Sequence, residues 1–315
     1  MDNRLLINSR DGSFHAYIAR PAKLPAPAVV VLQELFGVNA DIRATCDELA
    51  KQGFIAIAPD LFWRQEPDVD LDVRSEADWQ HGLRLYGAYD RDTGAGDIAQ
   101  TIRAAAKLPA PAVVVLQELF GVNADIRATC DELAAHGFIA IAPDLFWRQE
   151  PGVDLNVTSE ADWQHGLRLY TAYDRHAGAR DVMETVRTAV ELPESTGKVA
   201  LHGYCLGALM AFITAARYEV DAAVAYHGGD TEKYLGEVGG LNAPLLMHLG
   251  EEDEFISKAA QAEIKAALAK KPNATVYSYP GQRHAFSRHN GTHYNAAAAA
   301  LANSRTSEFL HQQLR

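Results

Sequence analysis

Residues 22 to 90 recur at 106 to 174, an offset of 84, and only six of the 69 aligned positions differ: Lys51/Ala135, Gln52/His136, Asp68/Gly152, Asp72/Asn156, Arg74/Thr158 and Gly87/Thr171. Similarity continues more weakly beyond, with Thr101-Ile102-Arg103 answering Thr185-Val186-Arg187. The duplicated unit, copy one at 22–105 and copy two at 106–189, reads as one βαβα stretch. Two copies are too few for a solenoid, which needs at least about three repeats of roughly 20 to 50 residues to bury a continuous core. Removing one 84-residue copy leaves 231 residues, a natural size for one α/β domain. We therefore expect a single domain over 1–315 with only one copy in its core sheet. Loop closure hardly discriminates between the copies, since doubling a loop costs only about 0.6 kcal/mol. Copy two is favoured because it runs directly into the strand at 199–201, and sequential elements tend to pair. The surplus copy is then left to disorder, an added subdomain or exchange between chains.

Apolar runs alternate with helix-length segments through the remainder. The N-terminal stretches Arg4–Ile7 and Ser13–Ile18, turned by Asp11-Gly12, read as a hairpin, followed by a strand at Ala112–Leu116, a helix at Asp125–His136 and a strand at Phe138–Ala142. Helices at Ser159–Ala172 and Ala179–Val190 come next. Strands at Ala222–Tyr226, Leu245–Leu249 and Thr275–Tyr279 and a closing helix at Tyr294–Gln313 complete an α/β pattern, a mostly parallel sheet covered on both faces.

Gly203-Tyr204-Cys205-Leu206-Gly207 lies between the apolar run Val199-Ala200-Leu201 and a helix-like segment. A small-x-nucleophile-x-small pattern at a strand-to-helix turn is the nucleophile elbow, whose flanking glycines avoid collisions of a Cβ with the neighbouring strand or helix. The helix N-terminus adds N–H groups and a positive dipole end, which favour a thiolate and an oxyanion beside it. A lone buried structural cysteine is the bland alternative. An acid and then a histidine should follow at strand ends. Gly250-Glu251-Glu252-Asp253 follows one strand and Pro280-Gly281-Gln282-Arg283-His284 another, making His284 the candidate base. Chemistry alone leaves Glu251, Glu252, Asp253 and Glu254 open as the acid.

These motifs, with Gln117-Glu118-Leu119-Phe120-Gly121-Val122-Asn123 and Gly281-Gln282-Arg283-His284-Ala285-Phe286, resemble the dienelactone hydrolase (carboxymethylenebutenolidase) family of the α/β-hydrolase superfamily. The resemblance implies an α/β-hydrolase fold and hydrolysis of small esters or lactones through a Cys205–Asp253–His284 triad and a thioester. It selects Asp253 among the four acids. It also implies that Glu118 (Glu34 if copy one is in the sheet) pairs with the resting thiol, and that the amides of Leu206 and Leu119 (or Leu35) form the oxyanion hole. Arg288 matches an arginine that binds a substrate carboxylate. A second such arginine is replaced near Trp163 (Trp79 in copy one), which weakens the case for dienelactone itself and leaves Trp163 as a pocket wall or a core aromatic.

Other functions find little support. With net charge −12 and no basic stripe, neither nucleic acid nor an anionic membrane surface is an expected partner. No apolar run reaches a membrane span and Met1-Asp2-Asn3-Arg4 lacks a signal core, so a cytoplasmic enzyme is expected, monomeric or homodimeric, with domain swapping open. His284, His289 and His293 lack zinc-site spacing and no nucleotide motif stands in a strand-to-helix setting, so neither metal nor cofactor is expected. His202 and His227 read as hydrogen-bonded core or pocket-wall residues. Cys46 and Cys130 are copies of one another on a helix and read as core or half-buried thiols. A non-catalytic binding protein on the same fold, and a non-functional duplication or engineered product, are the rival readings.

Overall fold

The computed structural model describes residues 3–22, 26–105 and 108–314. It divides the chain into two compact units, Met1–Pro109 and Ala110–Arg315, where the sequence suggested one domain. In the first unit a hairpin of β1 (Arg4–Ser9) and β2 (Gly12–Ala19) adds antiparallel to β4 (Ile55–Pro59), which pairs in parallel with β3 (Ala28–Val30). The order is β1-β2-β4-β3, with helices α1 (Ala40–Lys51), α2 (Glu76–Gly87) and α3 (Arg91–Ala105). The hairpin thus joins copy one, the acceptor next to it in the chain, rather than the sheet that carries the elbow.

The second unit holds a six-stranded, wholly parallel sheet in the order β10-β9-β8-β7-β5-β6. Copy two supplies β5 (Ala110–Leu116) and β6 (Ile139–Ile141); β7 (Ser195–Tyr204), β8 (Ala222–Tyr226), β9 (Leu245–Gly250) and β10 (Ala274–Tyr279) follow. Because side chains alternate across a strand, Ala112, Val114 and Leu116 of β5 enter one core and Val113 and Val115 the other. The first core includes α6 (Arg175–Glu191), α7 (Leu206–Arg217) and α8 (Lys258–Leu268); the second includes α4 (Ala124–Ala135) and α9 (Ala296–Gln313). Helix α7 is apolar nearly all round because residues 206–216 are all buried. Helix α5 (Glu160–Ala172) starts at Ser159, whose side chain accepts from the Asp162 N–H. Neither α8 nor the 3-10 helix at Thr231–Gly240 belongs to the sequence reading. No described helix is long and apolar enough to cross a membrane.

Near-identical sequences fold with different completeness in the two units. β5 lies between β6 and β7 and runs for seven residues, whereas β3, with β4 as its partner, runs for three. Leu116 is consequently fully buried and its counterpart Leu32 is 49% exposed. The reverse holds for the next pair: β4, flanked by β2 and β3, is buried throughout, while β6 is half-buried and shorter. Strand length here follows the number of flanking partners rather than local propensity.

Candidate active site

The chain leaves β7 and enters α7 through Cys205, the N-cap of that helix, at φ 49° and ψ −112°. A non-glycine residue in that region is strained and persists where surrounding contacts fix it. The two flanking glycines are required sterically. A Cβ on Gly203 would lie 2.0 Å from the Gly207 carbonyl oxygen, and one on Gly207 would lie 2.1 Å from that of Leu116. The Cys205 N–H is bonded to the Tyr226 carbonyl at 3.0 Å and the Gly207 N–H to that of Gln117 at 2.9 Å. These bonds tie the turn to β8 and to the segment following β5. The amides of Leu206 and Leu119 donate to no backbone carbonyl among the described residues.

His284 reaches the thiol from the loop after β10. Its Nδ1 lies 2.9 and 3.1 Å from the two Asp253 oxygens, and the loop that carries Asp253 follows β9. Asp253 also caps its own loop, accepting from the N–H groups of Phe255 and Ile256. The other acids of the run turn elsewhere: Glu252 pairs with Lys258, and Glu254 accepts from Arg283 and from the His284 N–H. Burial is the strongest single influence on His284 and opposes its charge. Cys205 and Asp253 together override it, raising the pKa to about 10, and hydrogen bonds to both neighbours contribute. On Asp253, burial is outweighed by the bond to His284, which holds the carboxyl below its usual value.

Glu118 differs from expectation. Its oxygens meet Arg288 Nη2 at 2.6 Å and His227 Nε2 at 3.4 Å, so this carboxylate is engaged by a cation and a second histidine rather than by the thiol. Burial works against its charge, but Arg288 and His227 prevail and keep it ionised. The same ion pair modifies the expectation for Arg288, which stacks over Phe120 at 5.0 Å, shares its guanidinium with Glu118 and keeps a buried Nε without a partner. Glu34 and Leu35 belong to the first unit, where Glu34 is exposed.

Cys205, His284 and Arg288 open onto a cleft of about 390 Å³ walled by Leu119, Phe120, Trp163, Tyr170 and Phe255, among others. Trp163 is therefore a wall residue. Tyr170, Asp230 and Phe255 are among the lining residues that the sequence did not mark. Tyr170 donates to Asp230 Oδ2 at 2.7 Å, and both line the cleft. Phe255 packs its edge on the His284 ring at 4.8 Å and remains 57% exposed. Position two residues after Asp253 was the available signal for Phe255; no local signal marks Tyr170 or Asp230. Cys46 and Cys130 have thiols that burial pushes up to about 11, as expected of unreactive cysteines. No cluster of three or more metal-ligating side chains occurs among the described residues.

The model of the dienelactone hydrolase family matches residues 14–109 and 98–314. The chain belongs to that family. A carboxymethylenebutenolidase of Pseudomonas putida is 41% identical over 205 residues, covering 65% of this chain and 87% of the relative. Carboxymethylenebutenolidase 1 of Cupriavidus pinatubonensis is 35% identical over 201 residues, covering 64% and 86%. A solved dienelactone hydrolase from Anabaena variabilis aligns with 66% of this chain and 90% of its own at 18% identity, with a TM-score of 0.48 that adds nothing to the sequence match. This dienelactone hydrolase family member accordingly has the α/β-hydrolase fold and is a hydrolase.

Proposed function

We propose that the protein hydrolyses small esters or lactones through a thioester on Cys205, with His284 as its acid–base partner and Asp253 orienting the imidazole. The observation that carries this reading is the arrangement at the elbow: Cys205 and His284 line one cleft sized for a small molecule, and the His284 Nδ1 is held by Asp253 at 2.9 Å. The sulfur, its proton on His284, attacks the carbonyl carbon; the S–C bond forms as the C=O bond opens to an oxyanion. His284 returns the proton to the leaving alkoxide as the C–O bond breaks. A water, deprotonated by His284, then releases the acid and restores the thiol.

The developing oxyanion is assigned to the amides of Leu206, at the start of α7, and Leu119. Preorganised donors of this kind stabilise charge without reorganisation. Arg288 is assigned to an acceptor at the substrate's polar end: one Nη is taken by Glu118, yet its Nε is free of partners and the side chain lines the cleft. Trp163, Leu119 and Phe120 provide an apolar wall for the remainder. A panel of lactones and aryl esters with and without a carboxylate, assayed before and after thiol alkylation, tests the assignment. Hydrolysis that disappears on alkylation of Cys205 supports it; hydrolysis that survives complete alkylation of Cys205 excludes it.

A further inference from the structure

His227 is the first residue beyond β8 and is wholly buried, with φ at 43°. Left-handed backbone at a histidine is uncommon and strained, so the surroundings must impose it. They do so through the bond from its N–H to the His248 carbonyl at 2.8 Å and through its ring. The ring centroid is 4.7 Å from that of His284, at an interplanar angle of 62°. Tyr204, Tyr226 and Phe286 enclose it further out, at 6.0, 6.2 and 6.3 Å. Burial keeps the ring uncharged, lowering its pKa to about 4 despite Glu118. A neutral imidazole carries one N–H, and an ionised carboxylate can only accept, so Nε2 donates to Glu118. Nδ1 is buried without a partner. Among the described residues, the one polar bond of this ring is therefore to Glu118.

Glu118 lies close to the elbow. Leu116 pairs with Gly203, and the Gly207 N–H is bonded to the Gln117 carbonyl, so the turn that carries Glu118 is stitched to the turn that carries Cys205. We propose that His227 is a positioning residue: its Nε2–H fixes the Glu118 carboxylate on Arg288, which leaves the thiol of Cys205 to His284. A buried carboxylate that loses a donor seeks another, because an unsatisfied acceptor is costly. The Cys205 thiol, on the turn stitched to the one that carries Glu118, is an available donor, and a thiol held by a carboxylate is a protonated and unreactive one. This inference rests on Cys205 being the nucleophile.

The test is the rate at which iodoacetamide labels Cys205 at pH 7 in the full-length protein, followed on the Cys205 peptide by mass spectrometry. His227→Gln carries an N–H where Nε2 now sits and should label at close to the wild-type rate. His227→Asn accepts the left-handed backbone readily, but its amide ends near the position of Nδ1, short of Glu118. Its labelling should slow about fivefold to tenfold, the scale of one lost hydrogen bond, with a matching fall in kcat. In a Glu118→Gln background the Asn substitution should have no further effect, because the charge it releases is gone. The proposal is overturned if His227→Asn labels like wild type, if Gln and Asn slow labelling equally, or if the loss persists in full beside Glu118→Gln. Failure of the nucleophile reading looks different: labelled wild-type protein would still hydrolyse esters.

Discussion

Replacing His202 with phenylalanine should make the protein markedly more resistant to acid. His202 lies on β7 within the core, its ring tilted against Tyr204 at 4.9 Å and Tyr226 at 5.3 Å, and neither ring nitrogen has a hydrogen-bond partner among the described residues. Burial alone lowers its pKa from 6.5 to about 3. The sign follows from proton counts: between those values the unfolded chain binds a proton that the folded chain does not. Stability is therefore full above pH 6.5 and falls as the pH drops toward 3. At pH 5 the unfolded ring is almost wholly protonated and the folded ring is neutral, a difference of about 2 kcal/mol relative to pH 7.5. Phenylalanine keeps an aromatic ring against the two tyrosines and removes the titration. Any packing strain from its greater volume acts equally at both pH values and cancels in the comparison. Urea unfolding at pH 7.5 and pH 5 should show the stability gap between variant and wild type widening by about 2 kcal/mol in favour of the variant, a midpoint shift of roughly 1 M. A gap that stays constant with pH would mean that His202 is charged or solvated in the fold, and the reasoning would be wrong.

Other expectations concern the site and the duplication. The His284 ring should stay protonated through neutrality up to about pH 10 in an NMR titration; Cys205→Ala removes the strongest influence raising it, so the midpoint should fall. Stability from this group is present in full below pH 6.5 and lost as the pH rises through 10, the opposite sense to His202. Asp253→Asn should lower kcat by about 10²–10⁴-fold, while Glu251→Gln and Glu252→Gln stay near wild type. Glu118→Ala should impair turnover and Glu34→Ala, exposed in the other unit, should not; steady-state assays of the two variants decide. Deleting residues 22–105 should give an active 231-residue chain in which β2 pairs with Ile139–Pro143, whose sequence repeats that of β4, and hydrogen exchange at those amides should slow.

The elbow was legible because its spacing is a steric requirement: Gly203 and Gly207 face backbone oxygens that leave no room for a Cβ. Strand order in the second unit was legible from hydrophobic periodicity, as were its helices apart from α8 and the 3-10 helix at Thr231–Gly240, and the ends of the helices read fell within a few residues of their caps. The choice of Asp253 over its acidic neighbours came from resemblance, since four adjacent carboxylates look alike until the strand and loop fix which one meets the imidazole. The engagement of Glu118 by Arg288 and His227 was not legible, because it joins residues 109 and 170 positions apart through burial alone. The allotment of the hairpin to copy one was also beyond reach. The acceptor strand Ile55–Pro59 and its repeat at 139–143 are identical, so nothing local distinguishes them.

The most direct measurement of the central claim is the turnover of a small aryl ester by Cys205→Ala, beside Cys46→Ala and Cys130→Ala, together with rapid acid quench of the wild type and mass analysis of the Cys205 peptide. The account predicts wild-type rates for Cys46→Ala and Cys130→Ala, loss of essentially all turnover in Cys205→Ala, and an acyl adduct on Cys205. Hydrolysis by Cys205→Ala at the wild-type rate would contradict it.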